Sequence, residues 1–176
     1  MCIFDLKYVL PKPISAKESG DREQWPLIDD IYPFPNDFIE LINQYGTGKI
    51  ANFITIFNPF SNNDDLNFFK QKRFILDDFQ YLIEYDNDYY KFNLFPNKNG
   101  LLPLGVTDNG DYIFWVTSPR DNSNLWKIAI IAARSPDVEY RDESLILFLI
   151  GVLTKNIKCI SFSTDFPSDT INFESF

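Results

Sequence analysis

The chain contains no histidine. That absence excludes a Ser-His-Asp triad, a Cys-His dyad, the commonest zinc site and the commonest general base near neutral pH. Cysteine is almost as scarce: Cys2 and Cys159 lie near opposite ends of the chain with no metal-like spacing. A disulfide scaffold is thereby excluded, and both thiols are expected to be free in a reducing, cytoplasmic setting. No apolar run approaches the ~20 residues needed to cross a bilayer. The longest, Leu145 to Ile150, continues to Leu153 with only Gly151 interrupting it and reads as a buried helix. Residues 1–10 alternate charged with apolar side chains and lack the continuous apolar region of a secretory signal. Internal repeats and low-complexity linkers are absent too. Gly46 and Gly48, in YGTGK, follow a helix and lack the GxxxxGK[ST] pattern, so they form no phosphate loop.

Positive charge is in deficit, with Lys+Arg 16 against Asp+Glu 25 and a net charge of −9. Nucleic acids and anionic membranes attract basic surfaces, so neither is expected as a direct partner, and a basic protein partner is favoured. Apolar material, by contrast, is plentiful. Hydrophobic residues make up 45% and aromatics 17% of 176 residues, including eighteen Phe and nine Tyr. This suffices for one domain spanning 1–176 with a real core and no need of staples.

Residues 1–21 hold a short apolar piece followed by Pro11, Pro13 and Gly20, which reads as an N-terminal arm or edge strand and a loop. Trp25 to Ile31 suits one or two helical turns, stopped by Pro33 and Pro35. Phe38, Leu41, Ile42 and Tyr45 recur at helical spacing, so Asn36 to Tyr45 is expected to be a helix ended by Gly46. Lys49 to Phe57 is rich in β-branched and aromatic residues and reads as one strand. Ser61 to Asp65 offers caps for a long helix running to about Tyr85, with a possible break near Arg73 and an apolar face of Leu66, Phe69, Arg73, Leu76, Phe79 and Ile83. Leu101 to Val106 and Asp111 to Thr117 read as strands joined by Asp108-Asn109-Gly110, a tight-turn signal with positive φ angles. Leu125 to Ala133 reads as a central strand buried on both faces. Arg134 to Arg141 turns the chain back, Asp142 or Ser144 caps the helix ending at Leu153, and Lys158 to Phe162 reads as a last strand.

No catalytic or metal-binding constellation emerges, and no cofactor is expected. The adjacent pairs Asp29 with Asp30 and Asp77 with Asp78 point to different sides of a helix or strand, unlike a working acid-base pair. The turn at Asp108 to Asp111 lacks the bidentate acidic residue of a calcium loop, since Val116, Thr117 and Ser118 occupy that stretch. Trp25, Trp115 and Trp126 read as core residues. The candidate site is a surface. Asp77, Tyr81, Glu84 and Asp88 are spaced four, three and four apart, which aligns three carboxylates and a phenol on one helix side if the helix extends that far. Charged runs usually serve only to solvate a helix. Here the carboxylates could also steer a cationic partner while Tyr81 anchors it, and the turn carboxylates Asp108 and Asp111 join the candidate partner-binding set.

Three segments, in order, resemble a known family. WPLIDDIYPFPNDFIELINQYGTGKI resembles the opening of the SUKH superfamily, the Smi/Knr group of bacterial immunity proteins and fungal cell-wall regulators. FITIFNPFSNNDDLN resembles its strand ending in a Pro-Phe turn, and GLLPLGVTDNGDYIFW with NLWKIAII resembles its most specific segment. The resemblance covers about Trp25 to Leu153. It implies an α+β fold, with helices packed against a twisted, largely antiparallel sheet, and a non-enzymatic role. Bacterial members typically bind and neutralise a toxin, frequently a nuclease, in the cytoplasm. The family varies its binding surface from member to member, so it supplies no catalytic residues. The implied function is that of an immunity protein against a cognate polymorphic toxin, with a regulatory or scaffolding module of the Smi/Knr type as the alternative.

Overall fold

A computed structural model describes residues 3–133, 135–168 and 170–176. Its described residues form an antiparallel sheet of seven strands: β1 (Gly48–Ile50), β2 (Ile54–Ile56), β3 (Leu101–Thr107), β4 (Tyr112–Val116), β5 (Lys127–Ile131), β6 (Val138–Tyr140) and β7 (Phe173–Ser175). The strand order is β6-β5-β4-β3-β2-β1-β7, so six strands meander in sequence and the last returns to the edge beside β1. Four α-helices complete the α+β architecture: α1 (Ile3–Val9), α2 (Asn36–Tyr45), α3 (Phe68–Tyr85) and α4 (Leu145–Leu153). None is long and apolar enough to cross a membrane.

The hairpin of β3 and β4 organises the core. Its register slips between Pro103 and Gly105, which leaves Leu104 bulged out of the ladder. Pro103 has no N–H to donate, and a bulge is where a strand tolerates that loss. At the turn, the Thr107 amide donates to the Asp111 carbonyl at 2.9 Å, and the positive φ falls on Gly110 (85°) rather than on Asn109. Alternation along β4 sends Ile113 and Trp115 to one face, Tyr112 and Phe114 to the other. Ile113, Phe114 and Trp115 are all buried, so the strand is covered on both sides. Phe79 of α3 meets both Tyr112 and Phe114 edge-on at 5.7 Å, while Phe38 of α2 meets Trp115 at 5.1 Å. Each such ring contributes roughly 1.5–3 kcal/mol by burial and about 0.5–1.5 kcal/mol more by edge-to-face geometry. Trp126 packs on Trp115 at 6.0 Å, and its Nε1 donates to the Pro119 carbonyl at 2.8 Å.

Helix α2 has the expected bounds and buries Phe38, Leu41, Ile42 and Tyr45. Gly46 follows it at φ 71° and ψ −148°, and a Cβ there would lie 2.0 Å from the Lys17 carbonyl oxygen. Only glycine fits. The close approach lets the Thr47 amide donate to that carbonyl at 2.9 Å. Next to it, Glu18 accepts from the Thr47 hydroxyl at 2.6 Å and from the Asn62 amide at 2.8 Å. Burial pushes the Glu18 carboxyl up, but hydrogen bonds from Thr47, Asn62 and Ser61 outweigh it and hold the group below its ordinary value.

Several local expectations are corrected. Ile3–Val9 is a helix where an arm or edge strand was expected within residues 1–21. Ile3, Leu6 and Leu10 are buried, and α1 packs on α4 and α2. A seven-residue helix is marginal alone, so this packing is what holds it. Trp25 to Ile31 forms no helix: the segment folds into a turn, with Asp29 and Asp30 at positive φ and Ile28 bridged to Tyr32. Lys49 to Phe57 is two strands, because Ala51 and Asn52 at φ 49° and 52° fold it into a tight hairpin. The return after β5 contains the short strand β6; Arg134, at its start, lies outside the described residues. Lys158 to Phe162 forms no strand, and β7 supplies the last one instead.

Helix α4 is the expected buried helix. Ser144 stands at its N-cap without a side-chain hydrogen bond, and the Ile146 amide donates instead to Asp37 Oδ2 at 3.2 Å, tying α4 to α2. Cys159 is free and buried, and burial pushes its thiol up to about 12, beyond the range of a reactive thiolate. Cys2 lies outside the described residues.

Candidate functional site

Helix α3 supplies the candidate surface. Its N-cap is Asn67, whose side chain accepts from the Phe69 and Lys70 amides, and the helix runs unbroken through Arg73 to Tyr85. Phe68, Ile75 and Phe79 are its buried residues, with Leu76, Leu82 and Ile83 packed partly against the core. Phe79 of the expected apolar face is buried, and Phe69, Leu76 and Ile83 pack against the core as expected. Phe68, Ile75 and Leu82 widen the stripe, and Arg73 alone of the expected helical positions falls outside it. Arg73 faces solvent and pairs loosely with Asp77 at 3.8 Å.

The outer face carries more than the charged row. Asp77, Tyr81 and Glu84 are exposed as expected, and Gln80 Nε2 donates to Glu84 Oε1 at 2.8 Å. Phe74, Asp78 and Tyr85 join them, and with Tyr81 they stand four, three and four apart on the same side. Phe74, Tyr81 and Tyr85 are 61%, 67% and 81% exposed. Three large rings in water within twelve residues of one helix are an apolar patch, and the carboxylates interleave with it. Phe74 and Tyr85 were not assigned to either face from the sequence, where only the charged row drew attention to the outer side. The spacing itself was visible.

Charge is unevenly placed along α3. Lys70, Lys72 and Arg73 lie in the N-terminal half, and Asp77, Asp78 and Glu84 lie beyond them. The first turn has no acidic residue and the last turn no basic one. A helix favours the reverse arrangement, because its macrodipole is positive at the N-terminus and negative at the C-terminus.

The remaining candidates separate. Asp88 lies past the C-cap Asp86, in the turn after the helix, so it adds negative charge nearby but does not continue the helical row. Asp108 is at the β3–β4 turn and pairs with Lys49 at 2.9 Å, which neutralises it locally. Asp111 is 3% exposed and turned inward. It accepts from the Thr107 hydroxyl at 2.7 Å and from the Ala133 amide at 3.0 Å, so it fixes the hairpin and is not offered to a partner. Among the described residues, no three His, Cys, Asp or Glu side chains are grouped to hold a metal ion.

A comparison with known proteins matches residues 31–149 to the family described as SUKH_6, SMI1-KNR4 cell-wall. The matched segment runs from the turn before α2 into α4, while α1 and β7 lie outside it. Searches of curated proteins and of solved structures gave no match. With more than half of the chain matched and an antiparallel sheet of the expected kind beneath it, the protein belongs to the SUKH superfamily.

Proposed function

We propose that this protein is an immunity protein, which binds and neutralises a cognate polymorphic toxin in the cytoplasm without catalysis. The reading is carried by the outer face of α3, where exposed rings stand among carboxylates and Glu84 occupies the last turn, where the dipole disfavours negative charge. A face that only solvated the helix would gain from lysines near its C-terminus. The placement is accounted for if the carboxylates meet a cationic surface, where such fields raise association rates roughly 10- to 10³-fold. A nuclease toxin fits, because its phosphate-binding groove is basic and an acidic surface laid over it occludes the active site. Phe74, Tyr81 and Tyr85 would supply the buried anchors from which most affinity derives.

Co-expression with the polymorphic toxin encoded beside the gene tests this reading. Survival of the cells and a complex of the purified pair that weakens with salt are expected. Cell death, with no association at low or moderate salt, would overturn the reading in favour of a regulatory or scaffolding module.

A further inference from the structure

A cavity of about 380 Å³ opens beside α3, where Asp78, Phe79 and Leu82 face Tyr90, Tyr112 and Ala133. It lies at the small end of the ~300–1,000 Å³ range of ligand sites, a size suited to one side chain rather than a cofactor. Its rings are set at steep angles. Phe79 stands at 75° to Tyr112 with centroids 5.7 Å apart, and Phe92, at 5.7 Å and 70° to Phe79, backs Tyr90 at 6.3 Å. Phe79, Tyr90 and Tyr112 line the cavity, and the face of such a ring attracts a cation brought within about 6 Å. Asp78 is at the rim, and no lysine or arginine among the described residues pairs with it. Asp78 and Tyr112 both line this cavity, and burial followed by the Asp78 charge pushes the Tyr112 hydroxyl up.

We propose that this cavity is the anchor site for one arginine side chain of a cationic partner protein, a proposal that rests on the immunity reading above and deepens it. The guanidinium lies against the Tyr112 and Tyr90 rings and donates to the Asp78 carboxylate. Arginine suits the site better than lysine. Its planar, weakly hydrated head stacks on a ring while its N–H fork binds a carboxylate, whereas an ammonium is a compact charge that gives up water reluctantly. The position follows from the fold: Asp78 and Leu82 are at the border between the exposed and buried sides of α3, so the cavity continues the acidic and aromatic face directly.

The test uses the full chain, labelled with ¹⁵N, and N-acetyl-arginine methylamide as the probe. Saturable amide shifts are expected at Gly110, Tyr112, Ala132 and Ala133, with affinity lowered at least tenfold by Asp78→Asn and by Tyr112→Ala. Asp78 is exposed, so Asp78→Asn stays informative even where Tyr112→Ala fails to fold. The matching citrulline probe, which is neutral and nearly the same shape, should bind at least tenfold more weakly, and the lysine probe should bind less well than arginine. Shifts that do not saturate, that persist unchanged in Asp78→Asn, or that citrulline reproduces would overturn the proposal. Because the probe is not a toxin, arginine binding in a chain that fails to protect cells sinks only the immunity reading, and protection without arginine binding sinks only this one.

Discussion

Replacing Glu84 with lysine should make the protein more stable and a poorer binder. Glu84 sits in the last turn of α3, where the helix dipole opposes a carboxylate by about 0.3–1 kcal/mol and favours an ammonium by a similar amount. Against this stands the exposed hydrogen bond from Gln80 at 2.8 Å, an i,i+4 contact contributing about 0.2–0.5 kcal/mol. The acidic neighbours, Asp86 and Asp88 in the turn beyond, favour the lysine as well. The net is a stabilisation of about 1 kcal/mol, or roughly 2–4 °C in Tm for a chain of this size. Urea unfolding at low salt measures the first effect, and stopped-flow association with the proposed cognate toxin measures the second. Association should slow by about tenfold, and the slowing should shrink as salt is raised. A loss of stability beyond about 0.5 kcal/mol would refute the dipole argument. Gained stability with unchanged association would return the carboxylates to plain solvation.

Three further substitutions probe the scaffold. Gly46→Ala should cost more than about 3 kcal/mol, from a glycine-only backbone conformation combined with overlap on the Lys17 carbonyl, and thermal unfolding would register it directly. Asp111→Ala should cost about 2–3 kcal/mol by leaving the Thr107 hydroxyl and the Ala133 amide without an acceptor, yet leave the rate of association with the proposed toxin unchanged. Glu18, held below its ordinary value in the fold, contributes stability that is present at neutral pH and lost as pH falls through the folded-state value. Glu18→Gln should therefore flatten the acid limb of a Tm-against-pH curve, and an unaltered limb would exclude Glu18 as its source.

What the sequence disclosed follows from how local each cue is. Helix α2 was legible to the residue because Phe38, Leu41, Ile42 and Tyr45 repeat at one period and Gly46 stops them. The β3–β4 hairpin was legible because Asp108-Asn109-Gly110 fixes a turn between two apolar strands, although the positive φ fell on glycine alone. Helix α1 was not, since Ile3, Leu6 and Leu10 gain their burial from α4, which lies far along the chain. The β1–β2 hairpin was hidden because Ala51 and Asn52 adopt positive φ without a glycine to announce it. At the candidate site, Asp77, Tyr81 and Glu84 were found from spacing. The exposed rings beside them, Phe74 and Tyr85, escaped notice, since spacing alone does not tell an aromatic residue left in water from one that packs. Asp111 could not be told from Asp108 by sequence at all: which carboxylate of a turn points inward depends on the Ala133 amide across the sheet.

The uneven charge of α3 also bears on how a cationic partner of the proposed kind would arrive. Lysines and an arginine toward one end and carboxylates toward the other form a separation of charge parallel to the backbone dipole, so the two fields add rather than cancel. A cationic protein drifting within about 10 Å would feel a torque as well as a pull. It would turn its most positive side toward the Tyr85 end of the helix before any atoms touched, and the encounter would begin already aligned.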